Sequence, residues 1–289
     1  MATIDRLDTE RLIALLKDRG PTPPLGRRHA STRQRGRGRP QPIADKDVET
    51  ANAHFRIGMD ARVDSAGVLA NPVVTRQVLL DKPILIWQYP NPTPIFVESH
   101  IESMNSAAQI LVYANSGLNT WFTFHYLWAN DSTVPVVVDI ETPIILTGDC
   151  FAQGRAGVFS GYKTEISLSA TLAIMRNTGW GSDPLTGDHQ YVPVLQDSQT
   201  ASISTIKAEG GSIFGGVGRA SESFAAEAYS LSCRSLLVPA GATVIFEPTF
   251  YLYCSLEGDT IEDIVDIDFS NRGRAVRCPY VALSIQSHE

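Results

Sequence analysis

Residues 164–174, TEISLSATLAI, alternate without a slip. Ile166, Leu168, Ala170, Leu172 and Ile174 fall on one side of an extended chain, and Glu165, Ser167, Ser169, Thr171 and Ala173 on the other. Successive side chains of a strand point to opposite faces, whereas a helix would scatter these five apolar residues around its axis. The segment therefore reads as a strand with one buried face. Such a strand needs a sheet to join and a second layer to cover it.

Other runs extend this pattern. In 120–128, TWFTFHYLW, Phe122, Phe124, Tyr126 and Trp128 share one face, and Trp121, Thr123, His125 and Leu127 share the other. Bulk on both faces predicts a central strand covered on both sides. The turn-forming 129–133, ANDST, followed by 134–140, VPVVVDI, predicts a hairpin. Further strands are expected at 73–80, 83–89, 95–101, 109–113, 143–147, 191–195, 201–207, 224–232, 243–256 and 274–286. Pro248 predicts a bulge or bend inside 243–256. Long Gly-rich connections are expected at 147–161, 176–190 and 208–223, and a short helical stretch at 44–54. Many short strands without βαβ alternation predict an all-β fold class: an antiparallel two-sheet sandwich of jelly-roll type, with an immunoglobulin-like sandwich or a closed barrel as alternatives. With 43% hydrophobic residues in 289, the chain has enough apolar surface for a core.

The front of the chain differs from the body. Residues 1–40 carry ten Lys/Arg and four acids, a balance of +6, while the remaining 249 residues carry 14 basic and 27 acidic groups, a balance of −13. Residues 3–19 read as a short helix, with Thr3 as its cap, Ile4, Leu7, Leu12, Leu15 and Leu16 gathered toward one face, and Gly20-Pro21 as its stop. Residues 20–42 hold almost no large apolar side chains, so burial cannot offset the entropy of ordering them. Within this stretch Arg27, Arg28, Arg33, Arg35, Arg37 and Arg39 stand with no acid among them. The planar guanidinium fork matches phosphate and carboxylate alike. The stretch is thus an arm contacting nucleic acid, an arm contacting the acidic surface of another subunit, or a solvated linker. The expected organisation is a helix at 1–19, the arm or linker at 20–42, and a single β-sandwich body at 43–289.

The sequence nominates no catalytic residue. It has no G-x-S-x-G elbow and no P-loop, and the Gly-rich 210–218 lacks dinucleotide-binding spacing. The six histidines form no metal-ligand spacing. Glu98, His100 and Glu102 share one face of a predicted strand, for which a solvated polar face is favoured over a metal site. Cys150, Cys233, Cys254 and Cys278 form no CxxC pair and read as buried free thiols, with two disulfides as the alternative if the chain matures in an oxidising compartment. Residues 257–268, EGDTIEDIVDID, hold six acids and no base. Clustered carboxylates can bind Ca²⁺, which makes Asp259, Asp263, Asp266 and Asp268 a weak calcium candidate. Asn271 and Arg277 stand where an EF-hand loop needs Gly and Glu, so that motif is excluded. A solvated acidic face is the alternative, and so is a surface that receives a neighbour's arginine arm. No other cofactor is expected. No run approaches the ~18 apolar residues of a membrane span, and Asp5, Arg6, Asp8, Glu10 and Arg11 interrupt any leader-like stretch. No Lys or Arg occurs from Pro83 through Gly154, a low-charge span read as covered core or as a large subunit contact.

The order of helix, arginine-rich arm and all-β body resembles viral coat and virion proteins with a jelly-roll shell, and is similar to small RNA-virus coats with a basic internal arm. Arg27–Arg39 and the strand-rich body from about Val73 onward carry this resemblance, which is one of layout and transfers no functional residue. It implies a self-assembling, non-enzymatic homo-oligomer located in a virion, and in the cytoplasm of the producing cell during assembly. The alternative is a carbohydrate- or ligand-binding β-sandwich, for which Trp121, Trp128 and Trp180 are the stacking candidates.

Overall fold

The computed structural model describes residues 13–14, 75–89, 97–102, 106–114, 117–155, 162–182, 189–210, 216–256, 263–271 and 273–286. The helix expected at 3–19 lies outside the described residues except for Ile13 and Ala14, which are helical. The arm at 20–42 and the stretch at 44–54 also lie outside them.

Thirteen strands make up the described body: β1 (Thr75–Leu80), β2 (Leu85–Tyr89), β3 (Val97–Glu102), β4 (Ala107–Ala114), β5 (Leu118–Ala129), β6 (Val136–Arg155), β7 (Tyr162–Ser182), β8 (His189–Gly210), β9 (Val217–Val238), β10 (Thr243–Leu256), β11 (Ile264–Phe269), β12 (Ala275–Arg277) and β13 (Val281–Gln286). They form two antiparallel sheets in a sandwich-like all-β fold. The second sheet runs β2-β5-β10-β7-β8. The first is built around β6, which pairs with β9 along one edge and with β13, β12 and β11 in succession along the other. Eight of these strands pair in a nested order: β1 with β13, β5 with β10, β6 with β9, and β7 with β8.

The expected 120–140 hairpin does not form. β5 pairs with β10 and β2 in the second sheet, while β6 belongs to the first, so the turn between them crosses the sandwich. Buried Asn130 shapes that crossing. Its Nδ2 donates to the carbonyls of Val134, Val238 and Pro239 at 2.9–3.2 Å, and its Oδ1 accepts from Ser132 N and Oγ. One side chain thereby ties the β5–β6 turn to the β9–β10 turn.

The connections are also shorter than expected, because β6 to β9 are strands of 20–22 residues that run through glycines expected in loops. Two of these glycines allow close approach. A Cβ on Gly148 would strike the Asp268 carbonyl and the Phe269 ring, and one on Gly218 would strike the Glu209 backbone. The second contact brings β8 and β9, edge strands of opposite sheets, together. Gln199 Oε1 accepts from Ser232 N at 2.6 Å, and Ser204 Oγ donates to Glu222, so side chains bridge that margin.

Proline tolerance follows from ladder breaks. The register of β10 with β7 continues unbroken past Pro248, with no bulge, while the β5 ladder skips Glu247 and Pro248. Pro143 likewise falls between the β13 and β12 segments of the β6 edge. Proline cannot donate to a ladder, and both stand where one is interrupted. In β9, Ala226 (φ 61°) and Ser235 (φ 57°) sit at the register shifts against β6. Asp139 Oδ1 accepts from Ser235 N at 2.7 Å and anchors that shift.

The core lies between the sheets. Phe122, Phe124, Phe246, Phe250 and Leu172 of the second sheet pack toward Ile110, Ile140, Ile144, Leu146 and Phe269 of the first. Phe250 meets Phe269 edge-on at 6.1 Å, an arrangement aromatic rings favour. Burial of each such side chain contributes roughly 1.5–3 kcal/mol. A polar tie crosses the same space, as Tyr126 Oη donates to the Cys278 carbonyl; within the first sheet Thr142 Oγ1 donates to the Tyr280 carbonyl at 2.7 Å.

Candidate functional site

On the first sheet, β11 lies between β6 and β4. Its alternation buries Val265, Ile267 and Phe269 and turns Ile264, Asp266 and Asp268 away from the core. Register then sets Asp268 between Asp149 and Leu111, and Asp266 between Phe151 and Tyr113. Three carboxylates and an aromatic ring 51% exposed at Tyr113 thus share two adjacent rows.

The carboxylates differ in their surroundings. Asp268 Oδ1 accepts from Ser270 N (2.9 Å), Ser270 Oγ (3.0 Å) and Asn271 N (3.2 Å). Its Oδ2 accepts from Asn271 Nδ2 (3.0 Å) and Arg274 Nη1 (2.7 Å). Burial raises the Asp268 carboxyl, but the hydrogen bonds from Asn271 and Ser270 outweigh it and hold the group at about 2. The other arm of the Arg274 fork reaches Asp149 Oδ2 at 2.5 Å. Asp266 takes no share of this guanidinium. Burial first, then the Asp268 and Asp149 carboxylates, push its carboxyl above the usual range.

The four calcium candidates are not brought together as one described site. Asp259 lies outside the described residues. Asp263 is buried, and its Oδ1 accepts from Arg155 N at 2.9 Å. Asp266 and Asp268 face outward. Among the described residues, no three His, Cys, Asp or Glu side chains gather to hold a metal. β3 sets positions 98, 100 and 102 opposite Leu111, Gln109 and Ala107. Arg27, Arg28, Arg33, Arg35, Arg37 and Arg39 lie outside the described residues.

A second polar constellation sits on the face of the second sheet that points away from the shared core. His125 and Glu247 are both fully buried, with Nε2 3.5 Å from Oε1, and His125 Nδ1 lies 3.4 Å from the Leu85 carbonyl. Thr123 and Thr249 share a hydroxyl hydrogen bond of 3.0 Å beside them. The sequence places His125 on one face with Trp121, Thr123 and Leu127 but does not identify its partner. The available signal was a lone acid inside the apolar run TVIFEPTFYLY. Trp121 is buried and meets Tyr251 at 5.7 Å, and Trp128 packs against the main core, so neither is an open stacking platform.

All four cysteines are free and buried, as expected. Burial pushes the Cys254 thiol up to about 12 and, against hydrogen bonds that lower it, Cys278 to about 11. Cys150 is raised by burial and then by neighbouring Cys254 and acidic groups. Such thiols stay protonated near neutrality and are poor nucleophiles.

No protein-family model and no curated protein matches this chain.

Proposed function

We propose that the chain is a self-assembling structural protein, a capsid or other virion subunit, with a jelly-roll body and a basic arm that contacts nucleic acid or a neighbouring subunit. The nested strand pairing carries this reading. Taken in chain order, β1, β5, β6, β7, β8, β9, β10 and β13 pair first with last, second with seventh, third with sixth and fourth with fifth. Such nesting is what a long hairpin rolled into two sheets would produce, and it supports the jelly-roll reading. β2 to β4 are then insertions between the first and second strands, and β11 and β12 between the seventh and eighth. The chemistry of the described residues is compatible with a structural role: the thiols are buried, and His125 and Glu247 are shut away from solvent.

Electron microscopy of the purified full chain tests the reading. Regular particles, rings or tubes are the expected result. A full-length variant with Gln at the six arginines from Arg27 to Arg39 should keep its β-rich circular dichroism but alter or lose those assemblies. A chain that stays monomeric at high concentration, with or without nucleic acid, would overturn the reading.

A further inference from the structure

We infer that the outward face of β6, β11 and β4, formed by Asp149, Asp266, Asp268 and Tyr113, docks the Arg27–Arg39 segment of a second copy of this chain. The inference rests on the self-assembly reading and names the arm's partner within it. Three observations support it. The first is chemical: this face already holds a guanidinium, because Arg274 forks between Asp149 and Asp268 at 2.5 and 2.7 Å. Arginine prefers this planar carboxylate geometry. The second is what the face has left over. Asp266 lies one step along the strand from Asp268 with no part in that fork, and exposed Tyr113 stands beside it in register. A carboxylate next to an aromatic ring offers an arginine both an ion pair and a ring to stack on.

The third is the charge map. The −13 of residues 41–289 attracts a +6 front and repels a phosphate backbone. Residues 20–42 also contain no Phe, Tyr or Trp with which to stack on bases. A protein partner therefore fits the pair of surfaces better than nucleic acid does. The assembly reading supplies the second copy, whose arm would reach across the boundary between subunits.

The test uses the full chain with a photo-reactive benzoylphenylalanine in place of Tyr113. Light and isotopically heavy copies are mixed at high salt, where surface charges are screened, then returned to low salt, irradiated and digested. The expected product links position 113 of one isotope to residues 27–39 of the other. It should be lost in Asp266→Lys, with a melting curve no lower than that of the unaltered chain, and Asp266→Asn serves as the milder variant should the lysine perturb folding. Links to 27–39 within one isotope only would overturn the inference in favour of an intrachain contact. Links from the arm to nucleic acid, with none to position 113, would overturn it in favour of a genome contact. Particles that form with no link at position 113 would overturn the docking face and leave self-assembly standing. Absence of any assembled species would overturn both.

Discussion

Both sheets turn one face to the shared core, but their other faces have opposite fates. On β6 the outward positions from Val137 to Gln153 stay at least partly exposed, apart from buried Pro143. On β5 and β10, Thr120–Tyr126 and Val244–Leu252 are buried without alternation, so these two strands of the second sheet are withdrawn from solvent on both sides. The polar groups follow. On the buried face they come in pairs, His125 with Glu247 and Thr123 with Thr249, because a buried polar atom without a partner costs the full loss of its hydration. On the open face Asp149, Asp266 and Asp268 can crowd together, because water and one arginine screen them. Alternation in a strand therefore reports how many of its faces are covered as well as that it is a strand.

Substitutions should separate the two faces, with the largest effects on the covered one. Glu247→Ala removes the carboxylate beside a fully buried histidine and should cost about 3–5 kcal/mol in denaturant unfolding. Glu247→Gln should cost less. Thr249→Val keeps the shape but strips the partner from Thr123 and should cost about 1–3 kcal/mol by the same assay. On the open face, Asp268→Asn should cost only about 1 kcal/mol, with a defined pH dependence. The folded Asp268 carboxyl sits at about 2, below its ordinary 3.8. Its contribution is therefore complete above pH 3.8 and lost as pH falls through 2, so the gap between wild type and variant should close over that window. Asp266→Asn should act in the opposite direction. Its carboxyl is raised in the folded chain, so the ionised group weakens the fold at neutral pH. The variant should gain a few tenths of a kcal/mol, roughly, by thermal melting, and the gain should fade in acid. An open-face variant that matched Glu247→Ala in cost would break the comparison.

Much of this was legible before the fold was known. The alternation of Ile166–Ile174 marked β7, the bulk of 120–128 marked a doubly covered strand, and the 243–256 run matches β10 residue for residue. The rest depended on long-range pairing. Nothing local distinguishes the ANDST turn of a hairpin from one that crosses between sheets, since β10 rather than β6 became the partner of β5. Glycines at 148 and 218 looked like loop residues because their need for close approach arises only against Phe269 and Glu209. β9 hid its length because the shifts at Ala226 and Ser235 move its apolar residues from one phase of the alternation to the other. β11 was masked by its acids, whose outward positions obey the same period-two rule as any other strand. The partner of His125 lies 122 positions away across a ladder, beyond the reach of spacing rules.

Sedimentation velocity of the full chain over a range of concentrations, after nuclease treatment and at low and high salt, tests the central claim most directly. The account predicts species many times heavier than the 31.5 kDa chain at low salt, which dissociate as salt rises and the arm contacts are screened. A single 31.5 kDa boundary at every concentration and salt would contradict it.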